Sequence, residues 1–288
     1  MDNPQVKRIL LKIKQLPTLP QVLSQLIDLM EDPDASASEV SRIISKDQSL
    51  MTRVLKLVNS PFYGMPKRIA TLSQATVILG FKTVKNLALT TAIFDQFQGG
   101  NGKPRGAGFT RERFWQHSIA CAVASKIISE KIHYDCPEEA FMAGLIHDIG
   151  KVVLDQYMTE DFTRILDHAA RENVPILEAE KQVIGVRHTQ VGEWLAEKWN
   201  LPGHLVAAIR YHHTLAQQMK YVKLVSIVHL ADAIVRMEGY GNGGDAVTPK
   251  IREEIWQVIS IDPEDMPQLL NEIRLGYENA KEFLKLVA

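Results

Sequence analysis

Apolar positions along this chain recur mainly at spacings of three and four residues, the pattern of helices that bury one face. The last such stripe runs through Leu269, Ile273, Tyr277, Ala280 and Leu284. No stretch sustains the every-second-residue alternation of a half-buried strand, so the pattern predicts an all-α protein. Helix punctuation agrees. Ser36 with Glu39 and Thr71 with Gln74 have capping-box spacing, and Pro137, Pro249 and Pro263 each stand where a first helical residue would.

Two interruptions divide the pattern. Residues 99–108, Gly-Gly-Asn-Gly-Lys-Pro-Arg-Gly-Ala-Gly, resist helix, because glycine costs about 1 kcal/mol per position and Pro104 lacks a backbone donor. They predict a linker between an N-terminal helical lobe, 1–98, and a second lobe, 109–288. Gly239 to Gly244 separates a helix ending near Met237 from two C-terminal helices, expected to pack back on the second lobe. No internal repeat is present.

Several polar residues fall on the apolar stripes of the second lobe. His117 shares a face with Ala120, Cys121, Ala124, Ile127 and Ile128. In a helix read over Pro137 to Gly150, His147 extends a line of small residues, Ala140, Ala143 and Gly144, that leads on to Lys151. Asp148 stands about 100° further round, placed to grip one ion with His147 or to bridge two. His188 aligns with Val191, Leu195 and Trp199, His212 with Leu205, Ala208 and Ile209, and Asp232 with Val225, Val228 and Val235. Imidazoles and carboxylates converging from several helices are what zinc, iron or manganese require.

Each residue alone has a blander explanation. An inward histidine is ordinarily a hydrogen-bonded core residue, and Asp232 could pair with Arg236 or His229 a turn away. An unpaired buried carboxylate loses several kcal/mol of hydration, which a metal offsets. It is the conjunction that favours a metal centre. His213 joins it only if the helix unwinds after the pair. Lys151 reads either as a solvated charge at a helix C-terminus or, preferably, as a cation for substrate phosphate. His133, His168 and His204 follow no stripe and are expected at the surface. In the first lobe Arg42, Lys46, Arg53 and Lys56 read as a solvated face, and Asn59 to Gly64 as a helix-terminating turn.

Composition narrows the functional classes. The 288 residues, 45% hydrophobic, suffice for an ordinary core. Lys plus Arg number 33 against 34 for Asp plus Glu, so no global field draws the chain to nucleic acid or to an anionic membrane. Cys121 and Cys136 have neither zinc-ribbon spacing nor disulfide density and are read as core or cap residues in a reducing compartment. A polar N-terminus and broken apolar runs make the cytoplasm the expected location.

His117, the run Gly144-Leu145-Ile146-His147-Asp148-Ile149-Gly150-Lys151, His188, His212-His213 and Asp232 resemble the HD superfamily of metal-dependent phosphohydrolases. Leu16-Pro17-Thr18-Leu19-Pro20, Asp47, Val58-Asn59-Ser60-Pro61-Phe62-Tyr63-Gly64 and Ile78-Leu79-Gly80 are similar to the HDOD family, the HD-related output domain of bacterial signalling. Gly185 to Trp199 and Leu201-Pro202 carry the same likeness. The resemblance implies a two-lobed helical fold and a part in signal transduction. It also implies metal ligation by His117, His147, Asp148, His188, His212, His213 and Asp232, a set many HDOD sequences lack. Where cyclic-dinucleotide phosphodiesterases of the HD-GYP type carry Gly-Tyr-Pro after the histidine pair, this chain has Thr214-Leu215-Ala216. Where some carry a ligating Glu one turn before the first His, it has Arg113. That activity and a three-metal centre are therefore not expected.

Two functions follow as expectations. One is a regulatory binding or sensing module that holds one or two divalent ions, iron or manganese by preference and zinc or nickel as alternatives, and acts on a signalling protein or a phosphorylated small ligand. The other is a phosphohydrolase in which Asp148 bridges two ions and Lys151 neutralises substrate charge. A purely structural scaffold is a third.

Overall fold

The computed structural model describes residues 20–29, 32, 35–97, 104–215, 220–245, 247, 249 and 251–287, apart from the side chains of 263 and 282–287. Leu16 to Leu19, residues 99–103 of the expected linker and the Leu284 side chain lie outside the described residues. In the first half the chain forms α1 (Gln21–Asp28), α2 (Ala37–Ser45), α3 (Gln48–Val58), α4 (Leu72–Leu79) and α5 (Phe81–Gln96). The second half forms α6 (Arg111–Lys131), α7 (Pro137–Ile146), α8 (Ile149–Tyr157), α9 (Thr159–Glu172), α10 (Ile176–Val183), α11 (His188–Lys198), α12 (Gly203–Tyr211) and α13 (Val222–Met237). Short α14 (Glu253–Val258) and long α15 (Met266–Val287) follow. There is no strand among the described residues.

Capping chemistry sets several helix starts. The Ser36 hydroxyl accepts the Glu39 amide at 3.2 Å and the Glu39 carboxylate accepts the Ser36 amide at 2.9 Å, a complete box on α2. Thr71 accepts the Gln74 amide at 3.1 Å, but the Gln74 side chain accepts from Ala70 instead, so that box is half built. Pro137 opens α7, with Cys136 as its N-cap, and Pro263 opens a 3₁₀ turn, Pro263–Asp265. Pro249 does not open a helix. Extended Arg252 precedes α14, and Glu253 and Glu254 fill the first turn, where the helix dipole favours acid.

The helix read over Pro137 to Gly150 is two helices. His147 is still helical at φ −53°, ψ −36°, but Asp148 at φ −99°, ψ 13° turns the backbone, and α8 starts at Ile149. Close packing accompanies the turn. A Cβ on Gly150 would overlap the His188 carbonyl oxygen, and one on Gly144 would lie 2.6 Å from the Cys121 carbonyl oxygen. Glycine thus lets α8 press on α11 and α7 on α6.

Helix α6 is central, packed by α7, α13 and α15, while α5 gathers α1, α3 and α4 and leans on α7. The buried apolar side chains form one cluster from Leu23 to Ala280. Helix α15 packs on α6 as expected but also on α3, α5 and the Pro61–Tyr63 turn, so its apolar stripe serves both halves rather than the second alone. The described part of the linker is held by Arg105, which with Arg111 of α6 binds buried Asp155 on α8. In the first half Arg53 pairs with Asp95 and Lys46 donates to Gln25, which breaks up the basic row. Asn59 ties its turn together, donating to the Leu55 and Ile69 carbonyls at 2.7 and 2.8 Å and accepting the Ile69 amide at 2.7 Å. No helix among the described residues is long and apolar enough to cross a membrane.

Candidate metal centre

The inward polar residues meet at one place. His117 comes from the middle of α6, His147 and Asp148 from the α7–α8 junction, His188 from the first turn of α11, His212 and His213 from just past α12, and Asp232 from α13. His147, His188 and His212 are fully buried, and Asp148 and Asp232 are 1% and 4% exposed. Helix α12 ends at Tyr211, before the histidine pair rather than after it, and the two rings lie 4.1 Å apart.

Asp148 stands between two donor groups. Its Oδ2 lies 3.3 Å from His147 Nε2 and 3.8 Å from His117 Nε2, and its Oδ1 lies 3.1 Å from His188 Nε2 and 3.5 Å from His212 Nε2. Asp232 Oδ1 faces the first side, 3.3 Å from His117 and 3.9 Å from His147. Two sets of candidate ligand atoms result, each with all members within 4.8 Å of one another: His117, Cys121, His147 and Asp232, and Asp148, His188, His212 and His213.

The rings are oriented from behind. His147 Nδ1 donates to the Gly144 carbonyl at 2.7 Å, His212 Nδ1 faces the Ala208 and Ile209 carbonyls at 3.1 and 3.0 Å, and His188 Nδ1 donates to Glu180 at 2.8 Å. These partners assign the proton to Nδ1 and turn the Nε2 lone pairs inward. His147 Nε2, Asp148 Oδ1, His188 Nε2, His212 Nε2 and His213 Nε2 are buried without a hydrogen-bond partner. Orphaned polar atoms cost about 1–3 kcal/mol each, and lone pairs set against one another repel unless a proton or a metal lies between. The donor set, imidazole with carboxylate, fits a first-row divalent ion better than calcium or magnesium, which prefer oxygen alone.

Charge points the same way. Asp148, Glu180, Asp232 and Asp245 place four buried carboxylates around the cluster, against two cations, Lys151 and Arg236. Arg236 lies 3.5 Å from Asp232 and 3.3 Å from Asp245. Burial opposes ionisation of Asp148 and Asp232, yet Lys151 with His147, and Arg236 with His117, hold both carboxyls well below the usual range. Burial likewise opposes protonation of His147, but the Asp148 carboxylate raises its pKa. Lys151 is not the solvated charge that the sequence allowed: it is 1% exposed, 2.7 Å from Asp148 Oδ2 and 3.6 Å from Asp245.

Three features were missed in the sequence. Fully buried Glu180 accepts both the ring N–H and the backbone amide of His188. It shares an inward face with Ile176 and Ala179, but no neighbouring histidine marks it. Cys121, read as core, reaches the first donor group from one turn beyond His117. The Gly239 to Gly244 interruption is the roof of the cluster. Gly241, at φ +75°, has no room for a Cβ against the His117 backbone, and a Cβ on Gly243 would come within 3.2 Å of His117 Nε2. A cavity of about 220 Å³ lies under this loop, lined by His117, Arg236, Tyr240, Asn242 and Asp245. His133 is exposed, and His168 and His204 face Gln182 and Glu139.

Comparison with known proteins decides the family. The sequence profile of the HDOD domain matches residues 16–215. The chain belongs to the HDOD family. An uncharacterized protein of Treponema pallidum (strain Nichols) is 28% identical over 231 residues, 78% of this HDOD chain and 43% of that protein, so the chain spans under half of that curated relative. An HDOD domain protein of unknown function from Geobacter sulfurreducens superposes with a TM-score of 0.75 at 24% identity, over 98% of this chain and 95% of that one. A provisionally named phosphohydrolase from Shewanella amazonensis gives 0.76 at 24% identity, over 100% and 99%. A provisionally named signal transduction protein from Marinobacter aquaeolei gives 0.80 at 20%, over 98% and 65%. At these identities the likeness is one of fold. It agrees with the all-α architecture of the HDOD chain.

Proposed function

We propose that this HDOD protein is a regulatory binding or sensing module that holds one or two divalent ions at its HD-type centre. Four buried ring nitrogens, of His147, His188, His212 and His213, converge with Asp148 Oδ1, all five atoms without hydrogen-bond partners, and that convergence supports a bound metal. His117, His147, Asp148 and Asp232 would hold one ion, and Asp148, His188, His212 and His213 a second. Iron or manganese is preferred, with zinc or nickel also compatible with the donors. The chain's own contribution is to fix the ring tautomers through Gly144, Ala208 and Glu180, and to balance excess carboxylate with Lys151 and Arg236. Its output would go to a signalling protein or be set by a phosphorylated small ligand.

One observation favours a second role, a phosphodiesterase or nucleotidase. The cavity beside His117 and Arg236 gives a small phosphate ester a place to approach the centre. A bound ion would there supply Lewis acidity toward a phosphoryl oxygen.

Elemental analysis of protein purified without added metal, with phosphodiesterase and nucleotidase assays on wild type and Asp148→Ala, tests both. The sensor role predicts stoichiometric metal that falls in Asp148→Ala, and no cleavage above the variant's background. Cleavage abolished by the substitution would establish the enzyme instead. Wild type that contains no metal and takes up no added iron, manganese, zinc or nickel would sink both.

A further inference from the structure

Cys121 lies one helical turn after His117, wholly buried, with Sγ 3.6 Å from His117 Nε2. Two further separations define the group it joins: His117 Nε2 to Asp232 Oδ1 is 3.3 Å and His147 Nε2 to Asp232 Oδ1 is 3.9 Å. A tetrahedral ion with bonds of about 2.0–2.3 Å requires its ligand atoms to stand roughly 3.3–3.8 Å apart. Three of the six separations among the four atoms are thus already close to the edges of a coordination tetrahedron, and the other three are no more than 4.8 Å. His147 Nε2, a member of this group, is buried and has no hydrogen-bond partner.

We infer that Cys121 is a ligand of the first ion, as a thiolate that completes the set His117, Cys121, His147 and Asp232. This inference rests on the metal-binding role proposed above and specifies the ion. A thiolate selects zinc or ferrous iron over manganese or magnesium, so manganese is disfavoured on this side of the centre. On binding, the Sγ–H bond is broken, the proton leaves to solvent and the sulfur lone pair forms the bond to the ion. Asp148 need not then supply the fourth donor with Oδ2. That oxygen can keep its 2.7 Å contact with Lys151 while Oδ1 serves the second group. The alternative is a small hydrophobic core residue, the usual role of a buried free cysteine.

Cobalt(II) loading of the metal-free full chain distinguishes them. Thiolate coordination produces a sulfur-to-cobalt charge-transfer band in the near ultraviolet. The band is expected in wild type, retained in Cys136→Ser and lost in Cys121→Ser. The chain has two cysteines, so in Cys136→Ser the band can come only from Cys121, and the result stands even if Cys121→Ser fails to fold. Stoichiometric cobalt without the band in wild type, or a band that survives Cys121→Ser, overturns the ligand role and leaves the metal centre intact. A wild-type chain that takes up no cobalt by elemental analysis overturns both.

Discussion

His188 Nε2 lies 3.1 Å from Asp148 Oδ1 while the other nitrogen of the same ring donates to Glu180 at 2.8 Å. With a single proton on the ring, the inner contact sets a lone pair against a carboxylate oxygen. With two, the imidazolium is clasped by carboxylates at both ends. Burial alone would lower the His188 pKa, but Glu180, assisted by Asp148, outweighs it and pushes the value up to about 9 in the metal-free protein. A proton and a metal ion therefore compete for the same lone pair.

Metal affinity of the second group should weaken as pH falls below about 9, because the ion must displace the His188 proton. Chelator competition across this range measures it. A pH-independent affinity would show that His188 is not a ligand.

Stability of the metal-free chain should decline toward both pH extremes. His188 has a raised folded-state pKa, so its contribution is complete below 6.5 and is lost as pH rises through about 9. His212 is pushed down to about 4, chiefly by burial, so its contribution is present above 6.5 and is lost as pH falls through about 4. Urea midpoints against pH should give a dome. Bound metal should flatten its alkaline side, since the ion replaces the proton that is lost there.

Glu180→Gln retains the shape of the side chain and removes the charge behind His188. Loss of such an outer carboxylate typically costs about 10–100-fold in metal affinity. Calorimetric titration should show that loss in the His188 group and little change in the His117 group. Equal weakening of both would mean that the substitution acts through the fold.

Gly150→Ala inserts a methyl group where the His188 carbonyl oxygen already sits. Separation of α8 from α11 should lower stability by about 3 kcal/mol, the upper range for overpacking, and draw His188 away from Asp148. Urea unfolding checks the first effect and metal stoichiometry the second.

Asn59→Ala removes three hydrogen bonds and leaves the buried Ile69 amide without its acceptor. A loss of about 2 kcal/mol is expected in urea unfolding, with metal stoichiometry unchanged.

Much of the centre was legible because its residues break the apolar rule. A histidine or aspartate on an otherwise hydrophobic stripe stands out, and His117, His147, His188, His212 and Asp232 were found that way. Glu180 was not, since a single inward acid on a short helix gains meaning only from the histidine that three dimensions place beside it. Cys121 was on the same stripe as His117 and is core as read, but its approach to the donor group depends on His147 and Asp232 arriving from other helices. The turn at Asp148 was hidden because the flanking residues suit a continuous helix. The burial of Lys151 was hidden because a lysine at a helix end ordinarily reaches water. The glycines after Met237 read as an interruption. Their role as a roof depends on backbone approaching His117, which no local pattern encodes.

The turn at Asp148 joins two helices with different attachments: α7 leans on α5 in the first half, and α8 on α11 in the second. The residue at the joint is also the one with a carboxylate oxygen toward each donor group. Whatever occupies the centre, proton or metal, therefore contacts the very residue at which α7 gives way to α8.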